Sequence, residues 1–143
     1  MPNPALLSDR ARAYERRPPA DNACLNPWLA AELDSLFGSA SVVDIGCGVG
    51  SYGMLANLTR GPIAAARIAS FDGSENIEAW SAGRVRHFDL TLPADVQGVP
   101  VAEWALMLEV AEHVPTQYEA AMLANVHALN RRGVVLSLSL IHI

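Results

Sequence analysis

The sequence predicts an α/β domain built on a doubly wound, mainly parallel sheet. Three observations carry this expectation. Strand-like apolar runs alternate with helix-like stretches, the βαβαβ order that places helices on both faces of a parallel sheet. The run Val42-Val43-Asp44-Ile45 breaks at once into Gly46-Cys47-Gly48-Val49-Gly50-Ser51, a buried strand feeding a glycine-rich turn and then a helix. Acids stand at or near the ends of successive strands, at Asp44, Asp72, Asp89 and Glu109, and in a doubly wound sheet those ends converge on one crevice.

Taken in order, residues 1–23 are rich in Pro, Arg and Ala, with Arg10, Arg12, Arg16 and Arg17 around Tyr14. Pro18-Pro19 ends any helix there. The plain reading is a solvated arm or short helix; the sharper one is a lid in which Tyr14 covers a ligand. Asn26-Pro27 reads as an N-cap followed by proline at the first helical position. Trp28, Leu29, Leu33, Leu36 and Phe37 then recur at helical spacing, and Gly38 ends the helix. After the strand and glycine turn, a helix is expected over 51–59. A second strand follows over 67–71, with Asp72 at its carboxyl end. Asn76 to Ala82 reads as a short helix closed by Gly83. Val85 to Asp89 is the third strand, and 91–100 a loop. Trp104 to Glu109 is the fourth strand. A long helix is expected from Thr116 to about Asn130, with Tyr118, Met122, Val126 and Leu129 as its apolar stripe. Gly133 stops it, and Val134 to Leu138 begins strand five. There are no internal repeats.

At 143 residues the chain fits one domain and is long enough to bury a core. Net charge is −5, which gives no general electrostatic case for nucleic acid. Every basic residue is Arg; there is no Lys. Cys24 and Cys47 fit no metal or disulfide spacing, and a free thiol inside the glycine turn suits a reducing setting. No stretch reaches the ~18 consecutive apolar residues of a membrane span. The N-terminus lacks a signal-peptide pattern. These features suggest a cytoplasmic enzyme or binding domain with no membrane partner.

The glycine turn invites three cofactor readings. A phosphate-cradling loop needs G-x-x-x-x-G-K-[ST], and the chain has no lysine. A nicotinamide or flavin site wants G-x-G-x-x-G, but position 51 is Ser51, and a row of carboxylates repels a diphosphate. A cationic, phosphate-free adenosine cofactor fits both the turn and the acids, because carboxylates accept from ribose hydroxyls and from amino groups. One acid at a strand end is usually a turn former; four converging beside a glycine turn point to a ligand.

Asp44-Ile45-Gly46-Cys47-Gly48-Val49-Gly50 resembles the glycine-rich motif of class I S-adenosylmethionine-dependent methyltransferases, which have a Rossmann-like core. Phe71-Asp72-Gly73-Ser74 resembles that family's second motif, whose acid holds the ribose hydroxyls. Phe88-Asp89-Leu90 resembles the third, whose Asp accepts from the adenine amino group. Leu108-Glu109-Val110-Ala111-Glu112-His113-Val114-Pro115 is similar to the E-V-x-E-H-x-P segment after strand four in many small-molecule members. Arg132 to Leu136 resembles the turn into strand five. The resemblance implies an S-adenosyl-L-methionine site lined by Asp44, Gly46, Cys47, Gly48, Gly50, Asp72, Gly73, Ser74, Asp89, Leu90 and Glu109. It also implies methyl transfer to a small-molecule acceptor. The rivals are a nicotinamide-dependent oxidoreductase and a non-catalytic nucleoside-binding module on the same fold. The motifs specify neither the acceptor atom nor an oligomeric state.

A hydroxyl acceptor needs a base within hydrogen-bond reach. His113 is the local candidate, histidine being the side chain that titrates near neutral pH. Its structural alternative is to pin the loop after strand four. Glu112 would orient His113 or cap the following helix. A metal site on Glu109, Glu112 and His113 is disfavoured, since a pair of histidines is missing.

The family's domain continues through strands six and seven, whereas this sequence stops in strand five. The expected division is an arm and helix over 1–37, an incomplete cofactor-binding core over 38–137, and a tail over 138–143. Those last six residues, Leu138 to Ile143, match one reading frame of a common transposase-adaptor end sequence. The expectation is a longer native product with a cloning or sequencing artefact as its tail; the alternative is a natural short chain ending in an apolar strand. Strand five would then present an exposed apolar edge.

Overall fold

A computed structural model describes residues 26–52 and 67–139. The expected arm with Tyr14, most of the helix over 51–59 and the end of the tail lie outside the described residues. The elements are α1 (Pro27–Phe37), β1 (Val42–Ile45), β2 (Ile68–Asp72), α2 (Ile77–Trp80), β3 (Val85–His87), β4 (Ala102–Leu108), α3 (Glu119–Ala128) and β5 (Asn130–Ser137). All strand pairs are parallel and the sheet order is β3-β2-β1-β4-β5. The expected doubly wound sheet is therefore present through five strands. No helix among the described residues is long and apolar enough to cross a membrane.

β1 forms the centre because every one of its residues is buried. Its side chains alternate between two layers. Val43 and Ile45 join Phe71, Phe88, Ala105 and Met107 on the face covered by Met122 and Val126 of α3 and by Leu129 just after it. Val42 joins Leu106 on the face covered by Leu33 and Phe37 of α1. Two faces buried at once demand the continuous apolar runs that the sequence carries.

α1 begins where expected. The Asn26 side chain accepts from the Trp28 and Leu29 amides at 3.0 and 3.2 Å, and Gly38, at φ 54°, donates its amide back to Asp34. The apolar stripe is narrower than its spacing suggests. Leu33 and Phe37 are buried, but Trp28 is 84% and Leu36 51% exposed. A single helix laid on a sheet buries one narrow stripe, and these two residues lie off it.

Several boundaries shift for identifiable reasons. β2 runs one residue later than expected, so Asp72 is its last residue and pairs with His87. α2 is shorter than 76–82. Asn76 sits at φ 62° and makes no side-chain cap, and the chain turns at the buried Ser81, whose hydroxyl accepts the Val85 amide at 3.0 Å. β3 stops at His87 rather than Asp89, because the Asp89 amide leaves the sheet for the Gln97 side chain at 2.8 Å. The loop over 91–100 contains a single 3-10 turn, Ala94–Gln97. β4 starts two residues before Trp104 and ends before Glu109, which turns out of the strand at φ 55°.

The largest correction concerns the last helix and strand. The segment Thr116–Tyr118 is a 3-10 turn, α3 ends at Ala128, and β5 starts at Asn130 rather than Val134. Asn130 makes the change of direction possible. Its side-chain amide donates to the Val126 and His127 carbonyls at 2.8 and 3.4 Å, while its backbone already pairs with Ala102. Gly133 is thus a mid-strand residue, not a helix stop. It lies under the Trp104 indole, where a Cβ would come within 2.7 Å of the ring. The Arg132 guanidinium covers the same ring, 5.4 Å from its centroid, and pairs with Glu103 at 3.4 Å. Among the described residues β5 is the last strand of the sheet, with Val134 and Leu136 exposed along it and Leu138 exposed just beyond its end.

Replacing Gly133 by Ala should force the indole off its seat. Overpacking of this kind costs roughly 1–3 kcal/mol. Urea denaturation should show the midpoint falling with the slope unchanged.

Candidate functional site

The carboxyl ends of β1 and β2 are joined by hydrogen bonds from the glycine turn. The Gly46 and Cys47 amides both donate to the Phe71 carbonyl, at 2.8 and 3.2 Å. The Gly48 amide donates to Asp72 Oδ2 at 2.8 Å. Asp72 Oδ1 accepts the Ser74 amide at 2.8 Å, which closes the turn after β2. One carboxylate therefore fixes both loops. Gly46, Gly48 and Gly50 have φ of 70°, 57° and 87°, values that glycine adopts without a Cβ penalty. Gly46 has a second reason to lack a side chain: its Cβ would overlap both Cγ atoms of Val110, which folds over it from the loop after β4.

Asp44 lies beneath this turn and is 4% exposed. Its Oδ2 is buried and has no hydrogen-bond partner among the described residues. Burial, reinforced by the nearby Asp72 charge, pushes its carboxyl up to about 7. Burial likewise pushes the Cys47 thiol up, with Asp44 and Asp72 adding to the effect. Cys47 is thus held in its thiol form, its Sγ donating to the Gly48 carbonyl at 3.6 Å.

Asp89 and Leu90 stand on the adjoining loop after β3. Asp89 Oδ1 accepts from both the amide and the hydroxyl of Thr91, at 2.8 and 2.7 Å. The Gln97 side chain accepts the Asp89 amide and donates to the carbonyls of Asp89, Leu92 and Pro93. Asn125 of α3, buried, accepts the Ala94 amide and donates to the Leu90 and Leu92 carbonyls. The two regions are joined by the Phe88 amide, which donates to the Asp72 carbonyl at 2.9 Å, and Gly73 lies beside that link, where a Cβ would be 3.5 Å from the Phe88 carbonyl. Gln97 and Asn125 were not anticipated; Gln97 reaches back four to eight residues within an irregular loop and Asn125 reaches across 31, so no helix or strand period announces them.

Glu109 behaves differently from the other acids. Its exposed side chain reaches β5, where Oε1 accepts the Ser137 hydroxyl at 2.8 Å. Its neighbour Val110 lies against the glycine turn at Gly46. Glu112 Oε1 accepts the Ser139 amide at 3.2 Å. His113 is exposed on the 3-10 turn Ala111–His113, its amide bonded to the Val110 carbonyl at 2.9 Å. Asp44, Gly46, Cys47, Gly48, Asp72 and Ser74 therefore form one cluster at the carboxyl ends of β1 and β2, Asp89 and Leu90 follow β3 next to it, and His113 stands on the loop after β4. Among the described residues no group of three or more His, Cys, Asp or Glu side chains could hold a metal ion.

Neither a family model nor a curated protein matches the sequence. Solved structures do. The methyltransferase domain of a bacterial Hen1 protein superposes with a TM-score of 0.56 at 20% identity, over 76% of this chain and 62% of that one. Magnesium protoporphyrin IX methyltransferase from Synechocystis, with S-adenosylhomocysteine bound, gives 0.54 at 23% identity, over 76% and 52%. The N-methyltransferase NodS from Bradyrhizobium japonicum, also with S-adenosylhomocysteine, gives 0.61 at 14% identity, over 89% and 70%. The chain spans about half to two thirds of the length of these proteins. Its fold is the Rossmann-like fold of the class I methyltransferases.

The buried Asp44 makes a prediction about pH. Its raised pKa means that the folded chain holds a proton which the unfolded chain releases near pH 4. The stability of the ligand-free protein should therefore be highest below about pH 4 as far as Asp44 is concerned. That contribution is lost as pH rises to about 7, by on the order of 4 kcal/mol in all. Asp44→Asn should remove this part of the pH dependence. Urea titrations of both proteins at pH 5 and pH 8 check it: the variant should gain on the parent at pH 8.

Proposed function

We propose that residues 38–137 form the cofactor-binding part of an S-adenosylmethionine-dependent methyltransferase acting on a small-molecule acceptor. The observation that carries this reading is the buried, unpartnered Asp44 oxygen below a glycine turn pinned by Asp72. A polar oxygen sealed from water without a partner is costly unless a ligand supplies the donor. A ligand bearing an amino group and hydroxyls fits; a diphosphate does not, because Asp44 and Asp72 would repel it and the chain has no lysine.

In this reading Asp72 accepts from the ribose. Each of its oxygens takes one backbone amide and keeps a further lone pair for a hydroxyl. Asp89, held rigid by Thr91 and Gln97, accepts from the adenine amino group. Asp44 with Gly46, Cys47, Gly48 and Gly50 lines the side nearest β1. Gly73, Ser74 and Leu90 shape the nucleoside end, and Glu109 the far rim. When bound, the cofactor supplies a methyl group on a positively charged sulfur, and the carboxylates favour that charge. The protein aligns the acceptor and excludes water. For a hydroxyl acceptor, His113 takes the proton; an amine acceptor arriving neutral needs no such base.

The glycopeptide N-methyltransferase and the protoporphyrin enzyme among the structural neighbours support a small-molecule acceptor. A cytoplasmic location accords with the free thiol of Cys47.

Calorimetry should show S-adenosylhomocysteine binding to the chain and NAD failing to bind. Asp72→Asn should weaken the binding about tenfold, the size expected for a charge-assisted hydrogen bond. Binding of NAD alone would overturn the proposal. In a methyl-transfer screen with a labelled donor, His113→Gln should slow transfer to hydroxyl acceptors about 100-fold, the lower range for a lost general base, and spare amines.

A further inference from the structure

The glycine turn is held from two sides. β2 holds it through the Phe71 carbonyl and the Asp72 carboxylate. On the other side Val110 fills the space that a Gly46 side chain would occupy. Val110 comes there because the preceding residue, Glu109, turns the chain out of β4 at φ 55°, a conformation that a residue with a side chain rarely adopts. Such a conformation persists only where its surroundings over-determine it. The surroundings here are the end of β5. The Glu109 amide donates to the Ser137 carbonyl at 3.1 Å and to the Ser137 hydroxyl oxygen at 3.2 Å. The Ser137 hydroxyl in turn donates to Glu109 Oε1 at 2.8 Å. The His113 amide, bonded to the Val110 carbonyl, fixes the next step of the loop.

We propose that Ser137 and Glu109 are positioning residues for the glycine turn: their mutual hydrogen bonds hold Val110 against Gly46, so the wall formed by 46–50 depends on the last residue of β5. Neither side chain bonds to the turn itself; both act through Val110. The relay spans three strands, since β1 and β5 are separated by β4 in the sheet. It gives Glu109 a role that its place in the acid series does not suggest. The binding consequence of the proposal rests on the cofactor reading above; the structural coupling does not.

Hydrogen exchange on the full chain tests the coupling without a ligand. The Gly46, Cys47 and Gly48 amides are all hydrogen-bonded and so have protection to lose. Ser137→Ala should speed their exchange about fivefold, the size of a coupling near 1 kcal/mol. Ser137→Thr, which keeps the hydroxyl, should restore it. Leu136→Ala, an exposed neighbour on the same strand, should leave these three amides at the parent rate. Val110→Ala should reproduce the effect of Ser137→Ala, and the double variant should add nothing further. This second route decides the matter if Ser137→Ala fails to fold. Parent-like exchange at 46–48 in Val110→Ala, or in a folded Ser137→Ala, would overturn the relay. So would acceleration spread equally over β4 and β5. In a parallel calorimetric titration with S-adenosylhomocysteine, Ser137→Ala should weaken affinity about fivefold and Leu136→Ala should not. A parent protein that binds no S-adenosylhomocysteine defeats the cofactor reading, while the exchange rates still decide the relay.

Discussion

The site depends on one carboxylate shared by two loops. Asp72 takes the Gly48 amide on one oxygen and the Ser74 amide on the other, so the turn after β1 and the turn after β2 cannot move independently. Charge-assisted bonds of this kind are stronger than bonds between neutral groups. The sheet makes the arrangement possible. β1 and β2 are parallel neighbours with Ile45 opposite Phe71, which brings their carboxyl ends level. The Phe71 carbonyl then receives two further amides from the turn. The glycines are explained mainly by these internal demands: positive φ at all three, a place for Val110 at Gly46, and a turn that brings the Gly48 amide to Asp72.

That joint has an electrostatic cost. Asp72 stands close enough to Asp44 to disfavour its ionised form, on top of the larger effect of burial. Asp44 is placed where water cannot screen it from the half-buried Asp72, and its protonated form is the one the empty fold prefers below about pH 7. A folded domain tolerates such a conflict when a bound partner relieves it. Away from this site the sheet carries apolar layers on both faces, an edge-on Phe71–Phe88 pair with ring centroids 6.1 Å apart, and paired polar groups around Asn125 and Gln97.

The fold was legible where its signals are local. β-branched residues running into three alternating glycines marked β1 and its turn. Asn26-Pro27 and Gly38 marked both ends of α1. Boundaries decided by distant partners were not legible. Asn130-Arg131-Arg132-Gly133 reads as the close of a helix, yet Ala102 and Trp104 recruit it into the sheet while the Asn130 side chain caps α3. β3 ends early because of Gln97, a residue in the following loop. At the site, the acids and glycines around β1 and β2 could be placed together from strand order alone. The partners that orient them could not: Val110 against Gly46, Ser137 on Glu109 and Asn125 under the β3 loop are all contacts between separate elements.

The seating of Trp104 has an optical consequence. The chain has three tryptophans, and Trp28 is largely exposed on α1. Trp104 instead lies over Gly133, under the Arg132 guanidinium and against Phe37, whose ring centroid is 5.8 Å away. An indole enclosed in this way fluoresces at shorter wavelength than one in water. With Trp28 and Trp80 replaced by Phe, its emission reports on whether β5 is docked on β4, so this seam carries its own spectroscopic label.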